Sequence, residues 1–89
     1  MTSITELLEL DFSNKVKIGI CRAALGLSQK DLSLMCNYTQ AQVSNFEAGK
    51  TKYVSLSMFN KMVEAMLRYE RKQEMKRLRE ESLSLEHGQ

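Results

Sequence analysis

The stretch from Ser28 to Lys52, SQKDLSLMCNYTQAQVSNFEAGKTK, leaves room for only two short helices and marks where each begins and ends. Ser28 and Thr39 are capping residues: their hydroxyls can take up a backbone N–H that the first helical turn leaves unbonded. Asn37 and Gly49 are stop signals, because both tolerate the left-handed backbone that closes a helix. Leu32, Met35 and Cys36 form the inner stripe of the first segment, and Val43 and Phe46 that of the second. Two such segments, each too short to be stable alone, must pack on each other and on their neighbours. The rest of the chain agrees with a helical frame. It has no Pro and only 4 Gly in 89 residues, and it shows no strand-like alternation. The expected fold class is all-α, a compact bundle of about five helices holding a helix-turn-helix, in one domain with a small core.

The other helices follow from the same signals. Ser3-x-x-Glu6 reads as a capping box that opens a short N-terminal helix, with Ile4, Leu7 and Leu8 on one face and an end near Asp11. Ser13 or Asn14 starts a second helix that runs to about Leu25 and is closed by Gly26; Ile18, Cys21, Arg22 and Leu25 share its face. Ser55 is expected to cap a fifth helix with Leu56, Phe59, Met62, Val63 and Met66 on one side. Met58, Met62, Met66 and Met35 read as core, where a flexible thioether fills gaps. Beyond Leu67 the composition turns strongly charged, with Lys76–Glu80 and Arg77–Glu81 at i,i+4 spacing. Met75, Leu78, Ser82 and Leu85 recur in 3-4-3 steps there, which suits either a short helix–helix seam or a solvated helix. The expected organisation is therefore an amphipathic helix over 1–12, a helix-turn-helix domain over 13–68 and a charged helical extension over 69–89 with a frayed end.

Charge narrows the function. The formal net charge is only +2. Residues 1–12 carry three acidic groups and no basic one, whereas 13–68 carry eight basic groups against three acidic ones. The extension is balanced. A positive centre is the footprint of a nucleic-acid binder, although an ordinary solvated surface also accommodates it. No Ser/His/Asp set, carboxylate pair or Gly-rich phosphate loop stands at catalytic spacing, so no enzymatic role is expected. Cys21, Cys36 and His87 do not make a metal site, and no cofactor is expected. The cysteines read as small core residues. No apolar run approaches the ~20 residues that cross a bilayer, and the acidic start is unlike a signal peptide. A cytoplasmic protein without membrane contact is expected.

The second short helix poses a chemical question, since it carries uncharged amides at Gln40, Gln42 and Asn45. A Gln side chain can bond adenine N6 and N7 together, using its acceptor and its donor at once. Gln40 lies in the first turn, where base edges come nearest. Ala41 is small enough to meet a thymine methyl, and Ser44 and Asn45 lie one turn on. Gln40, Ala41, Ser44 and Asn45 are thus the candidates for reading bases. Gln29, Thr39 and Gln42, with the cations and hydroxyl of Lys50, Thr51 and Lys52, are the candidates for holding phosphates. Lys15 and Lys17 could add to them but also suit solvent. Tyr38 suits surface packing or a backbone contact, and Tyr53 a sugar–phosphate or the fifth helix.

The joint pattern resembles a known family. R-x-x-L-G-L-S-Q-x-x-L at Arg22 to Leu32, followed by T-Q-x-x-V-x-x-F-E-x-G-K-T at Thr39 to Thr51, is similar to the Cro/repressor-type helix-turn-helix regulators over about Val16 to Met66. The resemblance implies that Gln29 holds a phosphate and braces Gln40, and that Lys50 to Lys52 follow the DNA backbone. It also implies an ion pair between Arg22 and Glu47. Two positions depart from the family pattern. Ser33 stands where a small Ala is usual, so its hydroxyl needs a partner, such as a carbonyl one turn back. Asn37 stands where Gly is usual.

These observations lead to an expectation of a sequence-specific regulator of transcription, a repressor, that binds double-stranded DNA as a homodimer. Ile4, Leu7, Leu8 and the Met75/Leu78 stripe are the candidate dimer surfaces. No small-molecule effector is evident. The alternative is a protein-interaction module, an antitoxin or adaptor, that uses the helix-turn-helix as a scaffold.

Overall fold

The computed structural model describes residues 3–50 and 56–87, with only the backbone described for 84–87. Among the described residues five helices make up the fold: α1 (Ile4–Leu8), α2 (Asn14–Ala24), α3 (Gln29–Cys36), α4 (Gln40–Glu47) and α5 (Leu56–His87). No strand occurs among the described residues. The expected cap at Ser55, and Thr51, Lys52 and Tyr53, lie outside the described residues.

The start and stop signals act locally. Ser13 is the N-cap of α2, and Gly26 closes that helix with φ 70°. Ser28 caps α3 through a reciprocal box in which its hydroxyl accepts from the Asp31 N–H and its own N–H donates to the Asp31 carboxylate. Thr39 and Gln42 form the same box at α4. Asn37 adopts φ 61° and ψ 36°, the left-handed turn between the two motif helices. Tyr38 N–H then donates to the Ser33 carbonyl and seals the end of α3. Ser33 is buried, and its hydroxyl donates to the Lys30 carbonyl at 2.7 Å, so its departure from Ala leaves no orphaned group.

The core is a single cluster. Ile4, Ile18, Cys21, Leu32, Val43, Met62 and Met66 are fully buried, joined by Leu27, Cys36, Phe46, Met58 and Ala65. Both cysteines are free, and burial pushes both thiols above their ordinary pKa. Tyr38 packs on the edge of this cluster with the Lys61 ammonium over its ring.

Two elements, α1 and α5, differ in detail from the sequence expectation. Leu56 is 60% exposed, so the inner face of α5 is Met58, Met62, Ala65 and Met66, flanked by half-buried Phe59 and Val63. The first helix stops at Leu8 rather than near Asp11, and Glu6 does not form its capping box. Glu70, from the far end of the sequence, takes that place. Its carboxylate accepts from the Ser3 hydroxyl and from the Ile4 N–H, both at 2.8 Å. A carboxylate at a helix N-terminus is favoured by the dipole there, and this one also ties α1 to α5. Finally, α5 continues unbroken past residue 68 for 32 residues in all, about 48 Å of helix. Every described side chain from Arg71 to Leu83 is exposed. In that stretch Arg77 pairs with Glu74 and with Glu81, and no Lys76–Glu80 bridge forms among the described residues.

Candidate nucleic-acid interface

The interface is built outward from the core. Val43 is fully buried and Phe46 nearly so, each contributing about 1.5–3 kcal/mol of burial. They fix α4 against α3 and α2. Residues that are i, i+1, i+4, i+5 and i+8 from Gln40 therefore share the opposite face. Gln40, Ala41, Asn45 and Ala48 are exposed and Ser44 is half-buried, so the four base-reading candidates lie along one accessible stripe.

The polar groups around this stripe are already sorted by their bonds. Gln42 uses its Oε1 to accept from the Thr39 N–H at 2.8 Å, and the Thr39 hydroxyl accepts from the Gln42 N–H. The Gln42 amide nitrogen remains as its outward donor. The box occupies two of the N–H groups at the positive end of α4 and leaves those of Gln40 and Ala41 pointing outward. Asp31 does the same at α3, so the N–H groups of Gln29 and Lys30 are the open ones there. Gln29 is half-buried beside them. Among the described residues, no hydrogen bond joins Gln29 to Gln40, the brace that the resemblance implies.

Glu47 is spoken for as well. Arg22 donates from Nε and Nη2 to its two carboxylate oxygens, each at 2.9 Å, and from Nη1 to the Leu27 carbonyl, also at 2.9 Å. The pair is 21% and 12% exposed on its two sides. The Glu47 carboxylate raises the Arg22 pKa above its ordinary value, so the guanidinium is permanently charged. The result is a brace across the back of α4 that turns its only acidic side chain away from the stripe of Gln40, Ala41, Ser44 and Asn45. Gly19 makes room for it, since a Cβ there would lie 3.2 Å from Glu47 Oε1. Nothing in the hydrophobic pattern of α2 singled Gly19 out; the only signal is a helix-interior Gly, which lowers helix propensity and so asks for a packing reason.

At the lower end of the stripe, Gly49 closes α4 with φ 73°. Lys50 follows, exposed, with its N–H donating to the Asn45 carbonyl. Lys15, from the start of α2, lies over Gly49.

Comparison with known proteins agrees with this geometry. The Helix-turn-helix family profile matches residues 18–66, from the middle of α2 into α5. No curated protein and no solved structure matches the chain. No described helix is long and apolar enough to cross a membrane. A profile that spans over half of the chain and covers both motif helices, their braces and their caps shows the family: the chain belongs to the Cro/repressor-type helix-turn-helix family of DNA-binding transcription regulators.

Proposed function

We propose that the chain is a sequence-specific repressor of transcription that reads the major groove of double-stranded DNA with α4, as a homodimer on a two-fold site. The observation that carries this reading is the uncovered stripe of Gln40, Ala41, Ser44 and Asn45, with the only carboxylate of α4 turned to its back. Gln40 pairs with an adenine edge, Ala41 meets a thymine methyl, and Ser44 and Asn45 reach further bases. Gln29, Thr39, Gln42 and Lys50 hold the backbone, together with Thr51 and Lys52. One short helix reads only a few base pairs, so affinity and specificity come from two copies on a palindrome.

The test is selection of duplex DNA from a random pool at low salt. A palindromic consensus is expected, and Gln40→Ala should relax it at one symmetric pair of positions, with a loss of about 1–3 kcal/mol. A pool that stays unenriched rejects the reading and favours the interaction-module alternative, for which the exposed Met75 and Leu78 offer a partner surface. Repression is tested separately, by a reporter with the selected site across its promoter.

A further inference from the structure

Lys15 belongs neither to the helix-turn-helix nor to the residues matched by the family profile, which begins at Ile18. Its position is nevertheless set by the recognition helix. A Cβ built on Gly49 would lie 2.9 Å from the Lys15 Nζ, 3.2 Å from its Cδ and 3.6 Å from its Cε. The lysine stem thus crosses the one residue at the end of α4 that has no side chain to block it. The C-terminal end of a helix carries partial negative charge, which favours an ammonium at this place. Glu47, the nearest acidic residue along α4, is committed to Arg22. Among the described residues neither Lys15 nor its neighbour Lys50 forms an ion pair, and both are exposed. Two free cations from different elements therefore flank Gly49, where the accessible stripe of α4 ends.

We infer that Lys15 is a DNA-backbone contact, with its ammonium held over Gly49 so that it and Lys50 grip phosphate at the C-terminal end of the recognition helix. The inference rests on the DNA-binding reading above and extends the contact surface to α2. Gly49 then has two duties: its positive φ turns the chain, and its missing Cβ lets the lysine lie down. Such a contact positions the protein and carries no base preference.

The experiment is a salt titration of binding to the selected duplex by the full chain and its Lys15→Gln, Lys15→Ala and Lys50→Ala variants. Each phosphate contact contributes about 0.9 to the slope of log K against log salt. Lys15→Gln and Lys15→Ala are each expected to lower the slope by about that amount. They should weaken binding roughly five- to tenfold at low salt and leave the selected consensus unchanged. Lys15→Arg should restore the slope. A wild-type slope in both neutral variants overturns the inference, even if their thermal midpoints fall, because that pattern marks an ammonium that only caps α4. Failure of the wild-type chain to bind any duplex overturns the DNA-binding reading instead, and this inference with it.

Discussion

Glu47 occupies the last turn of α4, where on the proposed reading a free carboxylate would repel the DNA backbone, and its two oxygens are both held by Arg22. The same guanidinium holds the Leu27 carbonyl, so one side chain joins α2, the loop after it and α4. Breaking the pair from one side leaves a charge with little solvent. Glu47→Ala and Arg22→Ala are each expected to destabilise by about 2–3 kcal/mol, discounted from the fully buried case because both side chains retain some exposure. Arg22→Lys should recover little, since an ammonium cannot make the bidentate fork and reach Leu27 as well. Gly19 gives a sharper test. Gly→Ala inside a helix ordinarily gains up to about 1 kcal/mol. Here the new Cβ would press on a carboxylate oxygen that is bonded in place, 3.2 Å away. Gly19→Ala should therefore destabilise the wild type but stabilise the Glu47→Ala background, read as urea midpoints in a double-mutant cycle. Equal effects in the two backgrounds would mean that Gly19 has no part in seating the brace. The ion pair was legible in the sequence only through the family pattern around Arg22 and Glu47. The glycine was not, because its role depends on which residue of another helix comes to face it.

Helix ends show where local reading succeeds and where it stops. The caps at Ser28 and Thr39 and the turn at Asn37 were legible because their partners lie within three to five residues. At α1 the N-cap Ser3 was legible, and its hydroxyl accepts from the Thr5 N–H, but its acidic partner was not, because the carboxylate that completes the cap comes from Glu70 rather than Glu6. Glu70→Ala should release α1, speed amide exchange at Ile4 and Thr5, and lower stability by about 1–2 kcal/mol. DNA affinity should stay within twofold, since α1 packs on α2 and α5 rather than chiefly on α4. Unchanged exchange at Ile4 would mean that apolar packing alone holds the helix. At α3 the effect of pH is specific. The Ser28 N–H and hydroxyl hold the Asp31 carboxyl below the ordinary carboxylate range. The folded chain then binds fewer protons than the unfolded one in the acid window, so stability rises with pH there. The contribution is complete above the unfolded pKa of about 3.9 and is lost as pH falls through the lower folded value. Asp31→Asn should flatten this limb between about pH 2 and 5, measured by urea midpoints. A mutant curve parallel to the wild type would show that the acid loss arises at other carboxylates.

At the scale of the whole molecule, the open question in the sequence was which apolar surface a second copy would use. Two candidates were visible there, and burial separates them. Ile4 is fully buried, and Leu7 and Leu8 pack on the same core, so the apolar face of α1 is consumed within the chain. Met75 and Leu78 are 58% and 47% exposed. They stand about two and a half turns beyond Met66 and Tyr69, and so on the opposite side of α5 from the core. The core-facing side of the same stretch is polar, with Gln73, Lys76 and Glu80 lining an open groove above Ile4 and Leu25. Between 73 and 80 the helix is polar towards its own body and carries Met75 and Leu78 away from it, the surface that the proposed homodimer would use. In a parallel pair, Glu74 of one chain would face Arg79 of the other across the Met75/Leu78 seam, an attractive contact. The seam is small, so the free protein is expected to self-associate weakly, with a Kd above roughly 10 μM, and to pair fully only on a two-fold DNA site. Met75→Asp with Leu78→Asp should leave the thermal midpoint nearly unchanged, because both residues are exposed in the single chain. It should abolish dimers in sedimentation at high concentration and remove cooperativity on the palindrome, while single half-site binding persists. Cooperative binding retained by this double variant would move the dimer surface elsewhere, to the exposed Leu10 and Phe12 between α1 and α2 and Val16 in the first turn of α2.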